Sequence, residues 1–208
     1  MGFAFGSTRP THFWIACYIP LHHRLEGVVM YTAPISADEL KQYWNALDAM
    51  TEGESMACIP LCYMPPWNDV CSQLNWQSYL LDGGYFSQKR FGYCGVYRLF
   101  ALAAENDLSR PAKFNRVCGA DTTGTLYIGE AGFLHERLNK LRRSMTSHSE
   151  HSHNAARMLR SIPVLKMPPE KLAVAVLFTG RSTRGVESDL LQAYMNTFGD
   201  TPPLNYKL

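Results

Sequence analysis

The 208 residues are enough for one ordinary domain, or for a small domain with an appendage. With 46% hydrophobic, 18% charged and 12% aromatic residues, the composition excludes intrinsic disorder over most of the chain. A net charge of +2, from 20 Lys+Arg against 18 Asp+Glu, excludes a histone-like polycation, but that average conceals a split. Residues 1–93 carry 5 basic and 8 acidic side chains, net −3, whereas residues 94–208 carry 15 and 10, net +5. The second half is the one suited to a polyanion.

Six cysteines, Cys17, Cys58, Cys62, Cys71, Cys94 and Cys118, are too sparse for a disulfide scaffold. Cys58, Cys62 and Cys71, with His22 or His23, offer zinc donors, but C-x3-C-x8-C lacks the paired knuckles of strong zinc motifs. Buried thiols are the expectation. The chain opens without a basic, then apolar, leader, and Gly6 stands where N-myristoylation needs Ser or Thr. The most apolar run, Leu172 to Thr179, is far too short to span a bilayer. These features predict a soluble protein of the reducing cytoplasm, with no membrane partner.

In chain order, His12–Tyr18 and Gly27–Thr32 are aromatic and β-branched runs that read as strands, closed by Pro20 and Pro34. Ser36-Ala-Asp-Glu39 is a capping box, and it predicts a helix from Asp38 to Met50 with Leu40, Tyr43, Trp44 and Leu47 on one face. A weaker helical pattern follows from Trp67 to Leu81, ended by Gly83-Gly84. Residues 95–102 alternate like a strand, 104–123 read as a polar connection, and Thr125–Gly129 as a second strand. Phe133 to Arg143 is an amphipathic helix with Leu134, Leu138 and Leu141 inward and Glu136, Arg137, Lys140 and Arg143 outward. After the Ser/His loop 144–153, Asn154 is the predicted N-cap of a helix over Ala155–Ser161. Leu172–Thr179 reads as a buried strand and Glu187–Phe198 as a last helix, stopped by Gly199 and Pro202-Pro203. From residue 95 onward the order β-β-α-α-β-α predicts three strands with helices around them.

Two of these strands carry Gly95-Val96-Tyr97 and Tyr127-Ile128-Gly129. One tripeptide alone carries no information. In order behind them stand Arg137, ten residues past Tyr127, then Glu187 in the late helix, then Asn205 in Pro-Leu-Asn. Together with the run Tyr-Ile-Gly-Glu-Ala-Gly-Phe-Leu, this pattern over residues 94–206 resembles the GIY-YIG nuclease family. The fold this implies is α+β: a small three-stranded antiparallel sheet flanked by helices in 94–208, preceded by a mixed α/β extension in 1–93 that serves DNA recognition or dimerisation.

The resemblance implies a divalent-metal-dependent DNA endonuclease leaving 5′-phosphate and 3′-hydroxyl ends. Glu187 would be the one protein ligand of Mg²⁺ or Mn²⁺, Tyr97 the water-activating group, Tyr127 an orienting phenol, Arg137 the transition-state cation, and Asn205 an organiser of the site. These residue types suit the chemistry on independent grounds. Phosphodiester hydrolysis needs an activated water, a hard cation against a non-bridging oxygen, and positive charge near the developing phosphorane. A planar guanidinium is matched to phosphate.

The chain also departs from the family. Leu141 stands where a His or Tyr often follows the helix arginine, so His151 or His153 are candidates for proton transfer or a phosphate contact. The 102–123 connection is an insertion whose Arg110, Lys113 and Arg116 are candidate groove contacts. Lys140, Arg142, Arg143 and Arg157, with Arg160, Lys166 and Lys171, extend the basic stripe from Arg137: eight cations against three acids over residues 136–171. About ninety residues before the pattern and almost none after it resemble the restriction enzymes of this family, whose duplex cleavage would need a homodimer. One alternative is a single-strand- or structure-specific nuclease with Trp14, Trp67 and Trp76 as stacking platforms. The other is a non-catalytic DNA-binding module.

Overall fold

In the computed structural model the described residues are 33–50, 59–146, 153–162, 165, 167–180 and 182–205. The strands expected at 12–18 and 27–32, together with Trp14, His22, His23, Cys58, His151 and Lys166, lie outside them. The first helix, α1 (Ala37–Ala49), starts where its local chemistry dictates. Ser36 Oγ accepts the Glu39 amide at 3.2 Å while the Ser36 amide donates to the Glu39 carboxylate at 2.7 Å. Leu40, Tyr43 and Trp44 form its buried face.

The second expected helix is cut short. Helix α2 (Trp67–Gln73) ends well before Leu81, and Gln77–Leu80 is strand β1. Pairing overrides a weak helical pattern here. The later strand β6 (Leu172–Phe178) is apolar on both faces and would otherwise expose an unpaired edge, which Gln77–Leu80 covers in antiparallel register from Gln77↔Val176 to Leu80↔Ala173. A short helix α3 (Gln88–Phe91) leads to β2 (Gly95–Ala101), which runs antiparallel to both β6 and β5 (Thr125–Ala131). Among the described residues the sheet therefore has four strands, not three, in the order β1-β6-β2-β5, and β1 comes from before residue 94.

Helices cover both faces, giving a mixed α/β protein. On one face α3, α4 (Leu134–Thr146) and α5 (Asn154–Ser161) bury Phe91, Leu134, Leu138, Leu141, Met158 and Leu159 against Tyr97, Leu99, Val174 and Val176. On the other, α1, α2 and α6 (Thr183–Phe198) bury Trp44, Trp67, Val186, Leu190 and Tyr194 against Val96, Ile128 and Leu177. Trp67 is wholly buried and donates to Thr123 and Thr125, so it is core and not a stacking platform; half-buried Trp76 donates to the Val70 carbonyl. The expectation of buried thiols fails at Cys62, which is exposed, and holds in part at Cys71, where burial pushes the thiol up to about 11.

The connection after β2 is not all loop. It contains a hairpin, β3 (Phe114–Arg116) and β4 (Gly119–Asp121), folded back on the end of α6 through the Cys118 amide and the Phe198 carbonyl at 3.0 Å. Arg116 belongs to that attachment. Its guanidinium pairs with Asp200 at 3.2 Å, donates to the Thr201 carbonyl and lies over the Tyr194 ring. With 12% of its side chain exposed it is a strut, and the expected groove contact is corrected on that ground. Arg110 and Lys113 remain exposed on the same connection.

Helix α6 begins at Thr183, a full turn before the expected Glu187, because its start is set from elsewhere in the fold. Asp48 of α1 accepts the Ser182 amide at 3.0 Å and the Ser182 hydroxyl. No local sequence signal announces a cap supplied by another helix. Asp48→Ala is expected to cost about 1 kcal/mol, the usual worth of a lost helix-start acceptor, and to lower the melting temperature by roughly 2–4 °C. Asp48→Asn, which keeps an acceptor, should cost less in the same thermal melts.

Candidate active site

The β2–β5 register sets Tyr97 opposite Gly129 and Leu99 opposite Tyr127. Residues two apart share a face, so the two phenols lie diagonally on the α4/α5 side, ring centroids 6.0 Å apart. The glycines beside them are there for space. A Cβ on Gly129 would sit 2.5 Å from Tyr127 Cε1 and 2.8 Å from the Tyr97 hydroxyl oxygen. A Cβ on Gly95 would meet the Leu177 carbonyl oxygen at 2.6 Å and Leu134 Cδ1 at 2.9 Å. One glycine admits the tyrosine rings; the other lets α4 settle onto the sheet.

Arg137, expected on the solvent stripe of its helix, is instead half-buried and turned inward. Its Nε donates to the Tyr97 hydroxyl oxygen at 3.0 Å. A second nitrogen reaches the same oxygen, since His153 Nε2 lies 2.7 Å away. The tautomer follows from the other side of the ring. His153 Nδ1 accepts the Ala155 amide at 3.1 Å, so the hydrogen of the neutral imidazole is on Nε2 and points at Tyr97. Two N–H groups therefore converge on one phenolic oxygen.

His153, not Asn154, is consequently the N-cap of α5, while Asn154 is exposed in the first turn. The His153 amide donates to Ser144 Oγ at 2.9 Å, and Arg160 donates to the Ser144 carbonyl at 2.7 Å, which ties α5 to the end of α4. Burial, reinforced by the charges of Arg137 and Lys140, lowers the His153 pKa to about 3. At 1% exposure, with both ring nitrogens engaged, this histidine is placed to hold Tyr97 and has no face for a phosphate.

Burial pushes the Tyr97 phenol well above its usual range and Tyr127 up as well, and the Arg137 guanidinium opposes this in both. The Glu187 carboxylate is within electrostatic reach of both phenols, and its negative charge adds to raising them. It stands half-buried in the second turn of α6, so the attraction of a helix start for first-turn acids does not account for it. Asn205 completes the free edge of β5 through twin bonds: its Oδ1 accepts the Ile128 amide at 2.8 Å and its Nδ2 donates to the Ile128 carbonyl at 2.7 Å. The Leu204 amide joins the Leu126 carbonyl at 2.8 Å, so residues 204 and 205 fix the strand that carries Tyr127.

Lys140, Arg143 and Arg157 are exposed, and Arg142 is half-buried with no hydrogen-bond partner for its Nε among the described residues. Among the described residues no group of three or more His, Cys, Asp or Glu side chains is poised to hold a cation. Glu187 fits the one-carboxylate mode in which Mg²⁺ or Mn²⁺ keeps several waters and takes its remaining oxygens from a substrate phosphate. What sequence reasoning missed is the double grip on Tyr97. Only the His-rich loop hinted at it, and the loop alone could not say which nitrogen points where.

No helix among the described residues is long and apolar enough to cross a membrane. Comparisons with protein-family models, curated proteins and solved structures return no match to this chain.

Proposed function

We propose that the chain is a divalent-metal-dependent DNA endonuclease of the GIY-YIG type, leaving 5′-phosphate and 3′-hydroxyl ends. The observation that carries this reading is the convergence of Arg137 and His153 on the Tyr97 oxygen, with the Glu187 charge within electrostatic reach of the same phenol. A buried tyrosine held by two N–H donors is a costly arrangement for packing alone, where an apolar ring would serve. It is an economical one for chemistry.

Tyr97, once its own proton has passed to solvent, takes a proton from the attacking water, and the two N–H donors stabilise that phenolate against the burial that opposes it. Arg137 supplies positive charge as the phosphorane develops. A divalent cation at Glu187 would add charge against a non-bridging oxygen. Water oxygen bonds to phosphorus, the bond from phosphorus to O3′ breaks, and the departing O3′ takes up a proton from solvent. Tyr127 lines the water side, and Asn205 holds the strand that carries it.

The basic surface of Lys140, Arg142, Arg143 and Arg157 suits duplex DNA and a restriction or defence role, with two sites brought together in a homodimer for double-strand cutting. Supercoiled plasmid, linear duplex and single-stranded circles, each with Mg²⁺ or EDTA, test the reading. Discrete fragments in Mg²⁺ alone are expected, with roughly a hundredfold slower cutting by Arg137→Ala. Loss of only the single-stranded circle indicates a single-strand-specific enzyme, and binding without cutting indicates a non-catalytic module.

A further inference from the structure

Two large rings are mostly exposed beside the site: Tyr93 is 70% exposed, and Phe133, which meets the His135 ring edge-on at 6.3 Å between centroids, is 61%. The ladder of β2 and β5 ends at Gly95↔Ala131, and just beyond it the Leu134 amide donates to the Tyr93 carbonyl at 3.3 Å, which brings the two aromatic positions together. Phe133 also lies one turn before Arg137, whose amide bonds the Phe133 carbonyl at 3.2 Å. Phe133, Arg137 and Lys140 follow at i, i+4 and i+7, so an exposed ring, the guanidinium of the site and an exposed ammonium share one stripe of the helix. The nearby Phe86 and Phe91 are packed in the core, whereas among the described residues Tyr93 and Phe133 belong to no hydrophobic cluster of buried residues.

Resting on the nuclease reading, we propose that Tyr93 and Phe133 form a stacking platform for one nucleobase lying outside the helical stack, next to the phosphate that meets Arg137. An aromatic face receives any base, and cations one and two turns along the stripe receive the backbone that follows it. A ring buried between stacked bases would lose the exposure both side chains now carry. The same base can come from a single strand or be turned out of a duplex.

Anisotropy titrations of the full-length protein in EDTA test this with a labelled single strand, an abasic strand of equal length and charge, and a matched duplex carrying one 2-aminopurine. Phe133→Ala and Tyr93→Ala are each expected to weaken the base-bearing strand by roughly tenfold and to leave the abasic strand unchanged. Phe133→Trp should restore binding and Phe133→Leu should not, since leucine keeps apolar area without a ring face. Brighter 2-aminopurine in the bound duplex assigns the base to a flipped position; an effect confined to the single strand assigns it there. Equal losses on the abasic strand, or no loss, overturn the platform while leaving the nuclease reading intact. So does a dimer, seen by sedimentation, that Phe133→Ala converts to monomer. A wild-type protein that neither binds nor cuts any of these DNAs overturns both.

Discussion

On the nuclease reading proposed above, Gly129→Ala is expected to slow DNA cleavage by roughly a hundredfold or more, although it adds one methyl group and touches no charge. The added carbon would lie 2.8 Å from the Tyr97 hydroxyl oxygen and 2.5 Å from Tyr127 Cε1. Neither ring can retreat. Tyr97 is fully buried and its oxygen is held by Arg137 and His153, while Tyr127 is 8% exposed and packs edge-on against His153. The strain therefore moves the phenol by a large fraction of an ångström and breaks one or both of its N–H contacts. Overpacking of this kind also costs about 1–3 kcal/mol of stability. Two measurements separate the effects: the melting temperature reports the strain, and single-turnover cleavage at a temperature where both proteins are folded reports the displaced phenol. Tyr97→Phe is the control, since it relieves the contact at the oxygen and removes the chemistry. A Gly129→Ala protein that cuts at the wild-type rate would mean that the tyrosine pair is packing and not a site.

The same glycine shows how much of the site the sequence could disclose. Gly-Val-Tyr and Tyr-Ile-Gly identify the strands that carry the tyrosines, because alternation and β-branched residues mark β2 and β5 locally. The register that makes the pair neighbours is a tertiary fact. Elements with complete local instructions were legible: α1 with its capping box, α4 with its leucine stripe, and β6 with its apolar run. Elements set by distant partners were not. Gln77–Leu80 became a strand because β6 needed an edge, α6 began a turn early because Asp48 caps it from α1, and Arg116 became a strut because Asp200 and Thr201 fold back to it. Arg137 was legible by its spacing and misread by its helical face. A long side chain on the flank of a helix can turn either way, and here the unfilled acceptors of the buried Tyr97 oxygen draw it in. The acidic N-terminal portion is likewise more than an appendage where it is described, since α1 caps the helix that bears Glu187.

His153→Ala is expected to lower stability by about 3 kcal/mol and the melting temperature by roughly 6–12 °C, because one imidazole fills three roles. It caps α5, it donates to Tyr97, and it fills the space against the two tyrosine rings. His153→Asn separates these: asparagine is a good cap but is too short to reach the phenol, so stability should largely return while cleavage does not. The pH dependence has a definite sign. A folded pKa of about 3 against an ordinary value near 6.5 means that the unfolded chain binds the proton more readily between those limits. The contribution of His153 is then complete above pH 6.5 and is lost as the pH falls toward 3, at up to about 1.4 kcal/mol per pH unit. Asp189 runs the other way. Burial, opposed by the Trp44 indole that donates to it at 2.8 Å, raises its carboxyl to about 6, so the folded chain holds that proton and gains stability as the pH falls from 6 toward the ordinary carboxylate range. The two slopes oppose one another between pH 4 and 6 in the wild type. Removing the imidazole in His153→Asn leaves Asp189 unopposed, so denaturant midpoints from pH 7 down to pH 4 should flatten or reverse relative to the wild type. A variant with the wild-type acid slope would mean that His153 is not the buried neutral group gripping Tyr97.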